Sequence, residues 1–503
     1  MLDNIKLDNI KQNDLMEYYD AKEPPVRENR LGSCNSFGGT VEDILEKSKG
    51  GCLNAACRRF HQTQLCQSSL SLSWVDTVSD PVIIMHSPVG CGGMNMFMRE
   101  LFFDGKEDQT RYVRTINTNL SETDVISGGE KKLREAILYA EETYHPENIF
   151  VMVTCVPTLT GDDVDAVIES VKDQVKANLM PVYCAGFKSK IPASAYDALY
   201  HGIIRTYLQD KEAEIQENLK KNNGRKVNLF NTSSTAHADQ DELKRILELI
   251  GLEVRILPYD SPTRYLTDMV DASLNISICT THDEYLFTYM EKVYGIPYIM
   301  KNIPIGIKNT AVWLREVAKF FHKEEEAEKV IAAEIAKLER AVEPLKKYLK
   351  GKTAFIHGGE PRSLATADTL EMFGMEVLGI ETRHHDRFSN ELLESRRSNK
   401  KMTYSVSIGQ PFEKANLLNR MNPDVYIGHN GQCVQPAKQG VPVYPLFYKP
   451  NNYFGFTGVF EIARGLARML RNRQFYDNLR DNLDLPYKAE WYEKEPFSYI
   501  KEK

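Results

Sequence analysis

Residues 147–163 read ENIFVMVTCVPTLTGDD, and that order of residue types sets the fold class. An unbroken apolar run from Ile149 to Val153 ends at Thr154 and Cys155, then opens into a turn carrying Pro157, Gly161, Asp162 and Asp163. Short apolar runs without polar alternation mark parallel strands covered on both faces, with loops at their C-terminal ends. The same form recurs in PVIIMHSPVGCGG (81–93), LMPVYCAGF (179–187), KVNLFNTSST (226–235) and LEVRILPYD (252–260). It returns in LNISICTTHD (274–283), KTAFIHGGEP (352–361), MEVLGIETRHHD (375–386) and PDVYIGHNGQ (423–432). Helical patterns such as GGEKKLREAILYAEETY and DELKRILELIGL lie between them. Repeated strand–loop–helix units predict an α/β protein of doubly wound, Rossmann-like domains with parallel sheets.

At 503 residues the chain is too long for one core, and ~100–200 residues per domain implies about three. The rhythm restarts after charged segments at 208–226 and 323–352. The expected division is therefore an N-terminal arm (1–60) and three Rossmann-like domains (61–225, 226–350 and 351–503). The arm mixes charge with Gly, Asn and Ser and reads as loosely structured, while the Glu- and Lys-rich 323–352 segment reads as a solvated connecting helix. A net charge of -7 with no basic stretch argues against nucleic acid. No apolar run is long enough to span a membrane, and the polar start lacks a secretory h-region. The expected location is cytoplasmic.

Nine cysteines, an odd number, without any CxxC point away from disulfide frameworks, zinc ribbons and thioredoxin-type sites. Cys91 and Cys155 both follow apolar strands of the first domain, where two thiolates can face one crevice. Cys66 stands in a Ser-rich segment upstream, and Cys279 ends a strand of the second domain. A single cysteine at a strand end more often serves as a small buried apolar side chain. The glycines around Cys91, however, let backbone approach a large ligand. Wide spacing of this kind does not by itself diagnose an iron–sulfur site.

The ordered set HSPVGCGG, TDVISGGEKKLREAI, VTCVPTLTGDDVDAV and CTTHDEYLFTYMEKVYGIPY resembles the nitrogenase component 1 superfamily. Its alpha-type subunits and the related cofactor-assembly scaffold are the nearest in pattern. The resemblance continues through HGGEPRSLATADTLEMFGMEVLGIETRHHD and YFGFTGVFEIARGLARML, covering roughly 60–475. It implies three Rossmann-like domains with a cofactor among them and a homologous beta-type subunit in a heterotetramer. It also implies an ATP-dependent 4Fe–4S reductase component as electron donor. Cys66, Cys91 and Cys155 match the alpha-side ligands of an interfacial P-cluster, an 8Fe–7S cluster shared with the partner. Cys279 matches the cysteine on the terminal iron of the catalytic iron–sulfur cofactor, an eight-iron carbide cluster whose heterometal is left open. Gly358 and Gly359 match a glycine pair that lets backbone approach that cofactor.

Departures from the family pattern bear on the reaction. The stretch VYPLFYKPNNYFGFTG (443–458) contains no histidine, where nitrogenases carry a cofactor ligand. The family's other cofactor histidine should follow Cys184, where only Tyr196, Tyr200 and His201 are available. His429, in the loop GHNGQC, falls on the cofactor-flanking loop of the third domain and is the candidate proton donor. His357, His384, His385 and Cys433 are further candidates, with structural roles the more ordinary reading. His86 is assigned packing or support of a ligand. Cys34, Cys52, Cys57 and Cys184 are read as structural.

Three functions remain. The first is a nitrogenase-like reductase acting on a small molecule, with ATP-dependent C–S cleavage of methylthio-alkanes, as in methylthio-alkane reductase, fitting best. The second is the cofactor-assembly scaffold. The third is a nitrogenase alpha-type subunit reducing dinitrogen, which the missing histidine disfavours.

Overall fold

The run at 149–153 folds as the strand Asn148–Val153, buried along its whole length. Successive residues point to opposite faces, so Phe150 and Met152 join one core with Trp74, Leu199 and Tyr200. Ile149, Val151 and Val153 join the other with Leu133, Ile137 and Ala140, which recur at helical spacing along the helix Glu130–Tyr144. Cover on both faces is the physical reason for an apolar run without alternation.

The computed structural model describes residues 18–49, 53, 56–58, 66–93, 114–448 and 450–502. In chain order, β1 is Phe37–Gly39 and β2 is Ala56–Arg58. Next come β3 (Val82–His86), β4 (Arg114–Asn117), β5 (Asn148–Val153) and β6 (Asn178–Tyr183). These four form a parallel sheet ordered β4-β3-β5-β6. A second parallel sheet, β10-β9-β7-β8, uses β7 (Lys226–Phe230), β8 (Glu253–Ile256), β9 (Leu274–Ser277) and β10 (Tyr298–Ile299). The third uses β11 (Thr353–Gly358), β12 (Glu376–Thr382), β13 (Thr403–Val406), β14 (Val425–Ile427) and β15 (Val443–Tyr444). Its order is β1-β13-β12-β11-β14-β15, with β1 antiparallel at the edge. Finally β16 (Ile500–Glu502) pairs antiparallel with β2. The α/β class with parallel, Rossmann-like sheets is the architecture observed. Among the described residues no helix is long and apolar enough to cross a membrane.

Two readings need correction. The described part of the arm, expected to be loose, contributes β1 to the third sheet, and Val41, Ile44 and Leu45 of the helix Val41–Lys49 enter its core. Arg27 is fully buried and bridges the molecule. Its Nη2 donates to Asp197 at 3.2 Å and to the His282 carbonyl at 3.3 Å, and its Nη1 donates to Asp386 at 3.5 Å. Arg30 donates to Asp197 at 2.9 Å and to both oxygens of Glu284. One arm thus holds carboxylates that flank all three sheets. The helix Glu324–Leu349 is likewise more than a solvated connector. Its Ala327, Ile331, Leu338 and Val342 are buried in the same core as Val459, Ile462 and Leu466 of the helix Gly455–Arg471. Charge on the outer face concealed that apolar stripe.

Candidate functional site

Three of the candidate thiols gather at the C-terminal edge of the first sheet. Cys66 caps the helix Gln67–Val75, its sulfur accepting from Ser69 N–H at 3.4 Å. Cys91 follows β3, and Cys155 opens the helix Cys155–Thr160 directly after β5. Gly186 draws them together, since its amide donates to Cys155 Sγ at 3.1 Å. A Cβ at Gly186 would lie 3.0 Å from Cys66 Cβ, 3.3 Å from Cys66 Sγ and 3.6 Å from Cys155 Sγ. Burial, followed by the neighbouring Cys155 and Cys66 thiols, pushes the Cys91 thiol up. All three sulfurs therefore share one electrostatic neighbourhood. Cys66 is exposed, and Cys91 and Cys155 are half-buried, so this neighbourhood opens outward.

Among the described residues no group of three His, Cys, Asp or Glu side chains is set to hold a single metal ion. An open trio of thiols suits a larger cluster whose remaining ligands come from elsewhere. A bound cation would reverse the upward push on Cys91, because a coordinating thiol is deprotonated.

His86 holds this edge together. Its Nε2 lies 3.0 Å from Asp162 Oδ2 and its Nδ1 3.2 Å from Thr118 Oγ1. The same Asp162 oxygen accepts from Gly129 N–H at 3.1 Å. HSPVGCGG, SGGEKK and the TGDD turn are thus joined through one buried carboxylate, the supporting role expected of His86. Desolvation pushes the His86 imidazole down despite Asp162.

Cys279 belongs to a different environment. It follows β9 of the second sheet and is 6% exposed. Its amide donates to Ser277 Oγ at 3.0 Å, and its sulfur lies 3.6 Å from Thr281 Oγ1. Burial pushes this thiol up, with Asp283 adding to the shift and Arg362 opposing it. Tyr196 stacks on His282 at 4.1 Å, and His282 on His384 at 5.8 Å. Of the three aromatic or imidazole candidates after Cys184, Tyr196 is the one whose hydroxyl feels Cys279. Tyr200 instead donates to Asp283. His201 turns to the arm, 2.9 Å from the Ala21 carbonyl.

The third sheet supplies the opposite wall. Gly359 precedes the helix Glu360–Met372 with extended backbone, and a Cβ there would meet nothing within 4 Å. Its neighbour Gly358 is packed, because a Cβ would fall 2.6 Å from the Phe447 ring. The glycine pair therefore divides into a packing position and one facing open space. Arg362 donates to Tyr453 at 2.7 Å and to Ser234 Oγ at 2.7 Å. Arg383 makes no hydrogen bond or ion pair among the described residues, and burial pushes its guanidinium down to about 10. His357 Nε2, His429 Nδ1, Ser363 Oγ and Thr280 Oγ1 are buried without partners. Orphaned donors and an unpaired cation are costly unless a ligand satisfies them. Donors and cations of this kind suit an anionic group. His429, 5.5 Å from Phe447, is pushed well down by burial and by Arg383 and Arg362. It therefore rests neutral, so a donating role would pass a proton on instead of storing one.

The remaining candidates separate cleanly. His385 Nδ1 meets Glu360 at 2.7 Å, and His384 faces Asp386 at 3.8 Å. Cys34 bridges by backbone to His385, and Cys184 lies 3.6 Å from the Val153 carbonyl. Cys433 donates to the His429 carbonyl at 3.3 Å. Burial pushes Cys34, Cys184 and Cys433 up to about 12, as for inert thiols. Cys57 sits in β2, and Cys52 lies outside the described residues. Sequence reading missed Gly186, Arg383, His282 and Arg27. Only the lack of a Cβ at Gly186, beside Cys184, carried a signal.

Comparison with known proteins agrees with this geometry. Residues 66–471 match the family described as nitrogenase component 1 type oxidoreductase. The nitrogenase molybdenum-iron protein alpha chain of Methanosarcina barkeri is 30% identical over 318 residues, which span 62% of this chain and 58% of that one. The nitrogenase iron-molybdenum cofactor biosynthesis protein NifE of the same organism is 29% identical over 426 residues, 82% of this chain and 90% of that one. In structure, a nitrogenase Cp1 at pH 5 superposes with a TM-score of 0.71 at 22% identity, covering 90% of this chain and 100% of that chain, which bears on the fold alone. With motif order, sheet architecture and a match running from Cys66 to Arg471 in agreement, the chain belongs to the nitrogenase component 1 type oxidoreductases.

Proposed function

We propose that this chain is the catalytic alpha-type subunit of a nitrogenase-like reductase that cleaves C–S bonds of methylthio-alkanes. The carrying observation is a pairing: Cys279 is buried within reach of the Arg362 charge, yet residues 443–458 contain no histidine. A carrier that must surrender its cluster benefits from an open site, whereas a retained cofactor needs enclosure and fixed donors. Absence of the histidine favours a reaction other than dinitrogen reduction.

In this reading Cys66, Cys91 and Cys155 hold an 8Fe–7S cluster completed by a beta-type subunit, within a heterotetramer. Cys279 and the Gly358–Gly359 backbone hold an iron–sulfur cofactor, which supplies low-potential electrons to the substrate when bound. An ATP-dependent 4Fe–4S reductase delivers those electrons. The chain's own residues orient the group, exclude water and pass protons, with His429, which feels the Arg383 and Arg362 charges, as the proton donor. Two electrons and two protons convert dimethyl sulfide into methane and CH3SH, or 2-(methylthio)ethanol into ethylene, water and CH3SH.

The scaffold reading has one observation in its favour. The NifE relative of Methanosarcina barkeri matches over 82% of this chain, the alpha chain of the same organism over 62%. One experiment separates the readings. The anaerobic complex is supplied with reductase, ATP and 2-(methylthio)ethanol or dimethyl sulfide, and methanethiol is measured with ethylene or methane. Thiol release supports the reductase. No thiol, with transfer of an intact cluster to an apo-nitrogenase, establishes the scaffold.

A further inference from the structure

Beneath the third sheet lies a buried polar chain that the cluster sites do not use. Glu381, on β12, is 2% exposed. Its Oε1 accepts from Ser407 Oγ. Its Oε2 lies 3.3 Å from His357 Nδ1 and 3.7 Å from Lys414 Nζ, close to both but hydrogen-bonded to neither among the described residues. The Tyr426 hydroxyl is 3.1 Å from the same His357 nitrogen. His357 Nε2 is buried without a partner, and His357 immediately precedes the Gly358–Gly359 pair. At the other end, Lys414 lines a cavity of about 450 Å³ with Gly409, Gly431, Val434 and Leu483. Val434 is 59% exposed and Leu483 44%, so the cavity opens to solvent. Gly431 belongs to the loop that carries His429.

A buried carboxylate, an ammonium and an imidazole within reach of one another are expensive to desolvate. Apolar packing would serve stability as well. A line of exchangeable groups from a wet cavity to an unsatisfied imidazole has a more specific use.

We propose that Lys414, Glu381 and His357 form a proton relay from this cavity to the Cys279 cradle. The inference rests on the reductase reading above. Each transfer moves one proton and no electron. Lys414 Nζ–H breaks as Glu381 Oε2–H forms, and that proton then passes to His357 Nδ1 as the Nε2 proton leaves toward the cradle. Water in the cavity reprotonates Lys414, and tautomer exchange, which moves the remaining ring proton from Nδ1 back to Nε2, resets His357 for the next passage. Two passages supply the protons of one C–S cleavage, the electrons arriving separately from the reductase.

The test uses the anaerobic holo-complex carrying Lys414→Met, Lys414→Ala, Glu381→Gln or His357→Gln. With iron content equal to wild type, thiol release should fall at least tenfold and the solvent deuterium isotope effect should rise. Methylammonium, small enough for the cavity, should restore Lys414→Ala. In the cofactor-free chain, the infrared carboxyl band assigned by Glu381→Gln should shift in Lys414→Met, which does not depend on turnover. Full rates at full iron content would overturn the relay and leave the reductase reading standing. Slowed rates with neither isotope effect nor amine rescue would mark a structural role and overturn it as well. A wild-type complex that releases no thiol would overturn both.

Discussion

The outer thiol edge and the inner Cys279 cradle solve opposite problems with the same residue type. Cys66, Cys91 and Cys155 all belong to the first sheet's edge, stand partly open and are positioned by nearby backbone. Cys279, of the second sheet, is buried near Tyr196 of the first sheet region and Arg362 of the third. Local segments can build an edge that a second subunit completes. An interior site depends on how separate sheets are docked, and therefore on the buried Arg27 and Arg30 network.

The largest contrast should come from the cysteines. Cys91→Ala should abolish the interfacial cluster's spectroscopic signal and weaken association with the partner, with cofactor iron retained. Cys279→Ala should do the reverse, losing cofactor iron and activity while keeping the interfacial signal. Simultaneous loss of both signals in either variant would collapse the distinction.

Docking is the next lever. Arg27→Ala leaves Asp197 and Asp386 short of a partner in a fully buried setting, and removing one member of such a pair costs ~3–5 kcal/mol. Denaturant unfolding should register that loss. Because the edge is local, its cluster should survive better than the cradle's at intermediate denaturant.

A pH effect follows from His201, which ties the arm to the helix Ser194–Ile203. Burial pushes its imidazole down to about 4, whereas an unfolded histidine titrates near ~6.5. Between those values the unfolded chain binds more protons, so stability is full above the upper value and falls as pH drops toward 4. His201→Gln should flatten the stability–pH slope in that window while leaving it unchanged above pH 7.

Gly186→Ala is the mildest test. Its Cβ would crowd Cys66 at 3.0 Å, so the expected cost is on the order of 1 kcal/mol. The cluster signal should broaden or lose intensity, and cofactor iron should not change.

Much of this molecule was legible in the chain itself. Apolar runs without alternation, as in Ile149–Val153, specified parallel strands because only double cover makes such runs favourable. Glycines and a turn beside Cys91 and Cys155 marked loop ends. Part of the edge was readable since Cys91 and Cys155 follow their strands, and strand direction decides which end carries loops, whereas Cys66 caps a helix. Residues 443–458 disclosed a missing histidine without any coordinates. Other features were beyond a linear reading. The arm's polar composition suggested looseness, yet Arg27 finds Asp197 and Asp386 at separations of 170 and 359 residues. Glu324–Leu349 displayed charge on one face and hid an apolar stripe that matters only against Gly455–Arg471. Nothing adjacent in sequence announces that Arg383 has no counter-ion among the described residues, or that Lys414, Glu381 and His357 lie close together. Strand periodicity and turn chemistry are local, so the linear order of residues carries them. Charge pairing and burial of polar groups depend on contacts between distant segments, which exist once the chain has folded.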